Sequence, residues 1–155
     1  MSPPRSRARP GDIREVNTPR GLAYLQYTAK HPDFGDTVRV LLGFHATRPQ
    51  EWTATHEQVE YFAFYPVGAA LRQGLVEVVG SRAIPHGLEL PAALRRPGAR
   101  SQDGRVLAWM VWNGEEEVLK AELSPAERQL PIGAIWNHEM LVLRLKTQWH
   151  PEQET

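Results

Sequence analysis

Apolar residues in this chain recur mostly at intervals of two, in short runs broken by proline, glycine and polar clusters. That spacing predicts strands, because side chains alternate between the two faces of a sheet. A first strand begins at residues 13–16. Thr18-Pro19-Arg20-Gly21 supplies a turn, with proline at its second place and glycine at its fourth. In the next strand, over 22–28, Leu22, Tyr24 and Gln26 alternate with Ala23, Leu25 and Tyr27, so the two make a hairpin. Residues 30–35 (KHPDFG) form a loop, and 37–42 resumes the alternation with Val38, Val40 and Leu42 on one face. Beyond it the pattern predicts a short helix over 50–58 and an aromatic strand over 61–65 that Pro66 stops. One helical turn follows over 68–73, closed by Gly74, and then a strand over 75–79 rich in β-branched residues.

In the second half, residues 86–104 hold three glycines, two prolines and a turn at Gln102-Asp103-Gly104, and read as a long irregular connection. Asn113-Gly114 favours the left-handed dihedrals of a tight two-residue turn. It joins strands over 106–112 and 115–122, pairing Trp112 with Glu115 and Trp109 with Val118. Apolar side chains on both faces place the first of these deep in a sheet. Ser124-Pro125-Ala126-Glu127 starts a short helix, with serine as cap, proline at the first helical position and glutamate three after the cap. Residues 135–145 read as the last strand, interrupted at Asn137-His138. About eight short strands with small helical inserts predict a mostly-β (α+β) fold, either a small, strongly bent sheet or an SH3-like barrel.

The 155 residues fit one β-rich domain over 11–150, between a basic tail (1–10), expected to be disordered, and an acidic tail (151–155). With no cysteine, disulfides, thiolate nucleophiles and cysteine-ligated zinc are excluded. No run approaches the roughly 18 apolar residues of a membrane span, and no apolar stretch follows the basic start as a signal peptide requires. The expectation is a cytoplasmic protein without membrane contact. Eighteen basic residues balance 18 acidic ones. That weighs against a nucleic-acid surface, and Arg5, Arg7 and Arg9 read as a solvated tail.

Catalytic signatures are missing: no glycine-rich phosphate loop, dinucleotide fingerprint, His-Glu-x-x-His helix or Gly-x-Ser-x-Gly. The six histidines (His31, His45, His56, His86, His138, His150) show no ligand spacing, so neither a metal nor a cofactor is expected. His31 and Asp33 could form an acid–base pair in their loop, though the neighbouring Pro32 and Gly35 equally suit a plain turn. Glu115, Glu116 and Glu117 make an acidic hairpin tip, either simply solvated or attractive to a basic partner. Two or three of the five tryptophans (Trp52, Trp109, Trp112, Trp136, Trp149) suffice for a core, leaving others for a contact surface.

Taken together, GDIREVNTPRGLAYLQYTAKHPDFGDTVRVLLGF, YFAFYPVGAALRQGLVEVVG, WMVWNGEEEV and LPIGAIWNHEMLVLRL resemble the bacterial immunity protein 26 family over residues 11–150. The resemblance implies a non-catalytic intracellular protein that binds and neutralises a cognate toxin, such as a nuclease, of a polymorphic toxin system. It brings no catalytic residue set. The chain departs from the family pattern at Ala29, where a polar residue or histidine is expected, and at His138, where an acidic one is expected. The expected contact residues are His31, Asp33, Phe34, Arg48, Trp52, Trp136, Asn137 and His138, with a core position for Trp136 as the competing and slightly favoured reading. Two alternatives stand beside this: a nucleic-acid-binding SH3-like module using the arginine tail and aromatic strands, and a small enzyme with a site near His31 and Asp33.

Overall fold

The first hairpin follows from its turn. In the computed structural model, which describes residues 7–41, 43–51 and 59–155, β1 (Asp12–Thr18) pairs antiparallel with β2 (Gly21–His31), and Thr18 faces Gly21 across Pro19-Arg20. Gly21 adopts φ +127°, and a Cβ there would lie 3.0 Å from the His45 carbonyl oxygen, so glycine alone suits the position. β3 (Gly35–Leu41) adds to β2, and β4 (Val59–Phe64) to β3. After α1 (Val67–Arg72), β5 (Glu77–Ser81) returns to β1, giving a five-stranded antiparallel sheet of order β4-β3-β2-β1-β5.

Alternation sorts this sheet's side chains. Val16, Ala23, Leu25, Tyr27, Val38, Val40, Tyr61 and Ala63 build the principal core on one face, while Ile13, Tyr24 and Leu41 cluster on the other. Polar groups are buried as well. Arg39 Nη1 donates to Gln26 Oε1 at 2.6 Å, and Gln26 Nε2 donates to the Arg82 carbonyl at 2.8 Å. Arg14 Nη1 donates to the Val67 carbonyl at 3.2 Å, where Asp36 Oδ2 accepts the Val67 N–H at 3.1 Å. Burial pushes the Arg14 guanidinium below its ordinary pKa, against the opposing pull of Asp12.

The second sheet is β6 (Leu94–Arg100), β7 (Val106–Trp112) and β8 (Glu117–Lys120), with β7 central as its two-sided apolar pattern predicts. β6 corrects the expectation of an irregular 86–104 connection. Pro97 and Gly98 disguise it: the register breaks twice near them, and a Cβ on Gly98 would lie 2.7 Å from the Leu119 side chain. An edge strand tolerates both residues. The turn at Gln102-Asp103-Gly104 closes the β6–β7 hairpin, where Ser101 N–H donates to the Arg105 carbonyl at 2.8 Å. The β7–β8 turn sits at Asn113-Gly114 but is wider than two residues, since Trp112 faces Glu117 and Trp109 faces Lys120. Asn113 Oδ1 is the cause: it accepts the N–H groups of Glu115 and Glu116 at 2.9 and 3.0 Å and so caps a longer turn.

The short helix α2 (Pro125–Arg128) starts on the expected capping box, with Glu127 N–H donating to Ser124 Oγ and Ser124 N–H to Glu127 Oε1. The final segment is a second correction. Instead of a strand over 135–145 the chain forms α3 (His138–Lys146). Asn137 Oδ1 caps it by accepting the Met140 N–H at 2.8 Å, and Glu139 near its start and Arg144 and Lys146 near its end suit the helix dipole. Leu141, Leu143 and Leu145 imitate strand alternation, but 141 and 145 are one helical turn apart and are the pair that is buried.

The fold is thus mostly β, as expected, and its two antiparallel sheets do not close into a barrel. Residues 131–136 join them. Arg95 N–H donates to the Pro131 carbonyl (2.9 Å), Gly133 N–H to the Arg95 carbonyl (2.7 Å), and Trp136 N–H to the Phe64 carbonyl (2.8 Å). The expected tails are partly docked. Ala8 packs against the principal core, and a 3-10 turn at Pro151–Gln153 is held by Arg95 Nη2, which donates to the Pro151 carbonyl at 2.6 Å. Residues 1–6, and 52–58 of the helix expected over 50–58, lie outside the described residues. Among the described residues no helix is long and apolar enough to cross a membrane.

The helical register of α3 has a measurable consequence. Leu141 is 0% exposed and Leu143 52%. Leu141→Ala is expected to cost about 3 kcal/mol in urea unfolding, and Leu143→Ala less than about 0.5 kcal/mol. Strand alternation would put both on one face, so similar costs would overturn the helix.

Candidate binding site

The β2–β3 turn is organised by an imidazole. His31 Nδ1 accepts the backbone N–H groups of Asp33 and Phe34 at 3.1 and 3.3 Å, and Gly35 completes the turn with φ +76°. An accepting Nδ1 places the proton of the neutral ring on Nε2. Although it sits at a turn, His31 is only 6% exposed. Its ring packs beside Phe34 and Phe64 (both 5.3 Å between centroids), and Phe34 stacks on Phe64 at 4.9 Å. Trp112, at the end of β7, approaches His31 edge-on at 6.1 Å. The turn of one sheet thus meets the hairpin tip of the other.

Between them lies a cavity of about 460 Å³, with His31, Phe34 and Trp112 in its walls and Asp33, Glu115 and Glu116 exposed around it. Arg96 grips Glu117 through two parallel bonds, Nε to Oε1 and Nη2 to Oε2, both 3.0 Å. This pairing holds the Glu117 carboxyl below the usual carboxylate range. Asp33, Glu115 and Glu116 form no ion pair among the described residues. Gly133 packs against two of the lining side chains: a Cβ there would lie 2.8 Å from the Phe34 ring and 3.1 Å from Leu94.

Of the expected contact residues, His31, Asp33 and Phe34 come together here, and Arg48, Trp136, Asn137 and His138 do not join them. Arg48 is committed elsewhere, donating to Glu15 Oε2 (2.8 Å), Glu15 Oε1 (3.1 Å) and Glu77 Oε2 (3.2 Å). Its hydrogen bond is the main cause holding Glu15 below the usual carboxylate range, and Tyr24 also donates to Glu15 Oε2 at 2.8 Å. Trp136 is a core residue, 2% exposed, packed against Tyr61 and Trp149 with the Arg144 guanidinium 4.5 Å from its ring centroid. Asn137 is the α3 cap. His138 Nδ1 is hydrogen-bonded to Tyr65 Oη at 2.8 Å; burial lowers the His138 pKa and pushes the Tyr65 phenol up to about 12. Trp52 lies outside the described residues.

The suspected acid–base pair is not assembled as a dyad. His31 and Asp33 meet through the Asp33 backbone N–H, and the carboxylate does not bond the ring. Among the described residues no three His, Asp or Glu converge as metal ligands. Sequence reasoning missed Arg96, because β6 was unrecognised, and it read Trp112 and the glutamate run apart from the 31–34 loop. The Asn-Gly turn offered the one available signal, since it fixes Trp112 and Glu117 at the same hairpin end. Compared with protein-family models, curated proteins and solved structures, the chain matches none.

Two outcomes are expected. Trp136→Ala should cost about 3–5 kcal/mol of stability, as truncating a buried tryptophan does, and unchanged stability would return it to the surface. Below the ordinary imidazole value of 6.5 the unfolded chain takes up a proton that folded His138 resists. The stability linked to His138 is therefore complete above pH 6.5 and is lost as pH falls through its depressed folded value. Its position at the positive end of α3 adds to this resistance. His138→Gln, which keeps a partner for Tyr65, should flatten the stability profile just below pH 6.5, and an unchanged slope there would refute the linkage.

Proposed function

We propose that the chain is a non-catalytic cytoplasmic binding protein of the immunity type, which neutralises a cognate toxin by engaging it with the 31–34 turn and the 113–117 hairpin tip. The observation that carries this reading is the cavity where these two segments meet, with aromatic walls and three carboxylates, Asp33, Glu115 and Glu116, that form no ion pair among the described residues. Interfaces concentrate binding energy in such aromatic anchors, and complementary charge at the rim selects the partner and speeds encounter. The chain is neutral overall, so this local acidity belongs to the site and not to the average surface. A nuclease toxin would suit it, because a protein that binds phosphates presents basic side chains. The same rim repels phosphate directly, which weighs against a nucleic-acid module. The site also contracts relative to the sequence expectation, since Arg48, Trp136, Asn137 and His138 have structural partners of their own.

Co-expression with the product of the adjacent reading frame tests the reading. The chain should relieve growth arrest caused by that product and bind it in solution. Asp33→Lys combined with Glu116→Lys, both exposed positions, should leave the melting temperature in place. It should weaken binding about tenfold or more, roughly 1.4 kcal/mol. A wild-type chain that neither binds nor protects, or a charge-reversed chain that protects equally well, would sink the reading.

A further inference from the structure

We propose, resting on the binding-protein reading, that the cavity receives an arginine side chain of the partner together with a backbone carbonyl beside it. Two independent features require two different ligand groups. The first is a donor. His31 Nδ1 is occupied by the N–H groups of Asp33 and Phe34, so the ring proton lies on Nε2. Nε2 has no acceptor among the described residues, and His31 lines the cavity. A ligand carbonyl oxygen would supply the missing acceptor.

The second feature calls for a cation. Four carboxylates line the cavity (Asp33, Glu115, Glu116 and Glu117) against the single guanidinium of Arg96. Arg96 is fixed on Glu117 through both bonds of its fork, and the other three form no ion pair among the described residues. Phe34 and Trp112 are only half-buried and present ring surface to the same space. Carboxylates beside open aromatic faces suit a planar cation that stacks and donates at once. Guanidinium does both, whereas a lysine ammonium is compact, more strongly hydrated and without a stacking plane. At about 460 Å³ the cavity lies within the range of small-ligand sites, and it admits such a side chain with its backbone at the mouth.

A titration followed by NMR tests the assignment with N-acetyl-arginine N-methylamide, which carries the guanidinium and a flanking carbonyl. The neutral isostere N-acetyl-citrulline N-methylamide and the corresponding lysine compound serve as comparisons. Millimolar binding of the arginine probe should shift the Trp112 indole N–H and the His31 ring resonances. Citrulline should bind at least tenfold more weakly and lysine several-fold more weakly. Glu115→Gln with Glu116→Gln should lower arginine affinity at least fivefold, the protein's amide spectrum confirming that it remains folded. The proposal is overturned if arginine at tens of millimolar leaves Trp112 and His31 unmoved, if citrulline binds as well as arginine, or if the double variant keeps its affinity. The titration uses no toxin, so its failure removes the arginine assignment alone, while the inhibitor reading stands or falls by co-expression.

Discussion

Three backbone hydrogen bonds, made by residues 131–136 to Arg95 and Phe64, decide how the two sheets stand to one another. β6 and β4 are the facing edges, and the segment meets the first through Pro131 and Gly133 and the second through Trp136. The cavity depends on this joint, because its walls come from a turn of one sheet and a hairpin tip of the other. Gly133 matters for the same reason. Its missing side chain lets Phe34 and Leu94 press onto the joining backbone, and any Cβ there would push the aromatic wall outward.

Guanidinium groups secure the surroundings of that joint. Arg95 has its charge under cover and donates to the carbonyls of Arg128 and Pro151, with its Cζ 3.9 Å from the Trp109 ring centroid. One side chain thereby ties α2, the C-terminal turn and the second sheet together. Arg14 does similar work between β1 and α1. A lysine could place a charge in either position but not a rigid fork with several donors. Removing a carbonyl partner would leave a buried charge short of compensation, which is far more costly than losing a surface ion pair.

What could be read from the sequence was local. Proline and glycine at 19 and 21 and the Ser-Pro-Ala-Glu cap each act within a few residues and appear as expected, while the Asn-Gly dipeptide marks its turn but not the turn's width. Failures came where local signals compete. Leucines at 141, 143 and 145 satisfy a period of two, and the outcome rested on Asn137 capping a helix and on which leucines the core accepts. At the candidate site the 31–34 loop and the 115–117 run were each visible, but their meeting is a tertiary event with no local signature. Arg48 and Trp136 looked available for contact because a sequence does not show Glu15 or Trp149 waiting beside them.

The residues that concealed β6 have one more effect. An edge strand ordinarily offers an even row of donors and acceptors to any passing chain. On β6 the first part of that rim is taken by 131–133, and beyond it Pro97 has no N–H and the spacing is broken at two places. A stray β-segment laid along it would lose its ladder after a residue or two. This edge of the smaller sheet is therefore a poor template for strand-by-strand growth, and its irregular rim resists pairing with a neighbouring chain through backbone hydrogen bonds.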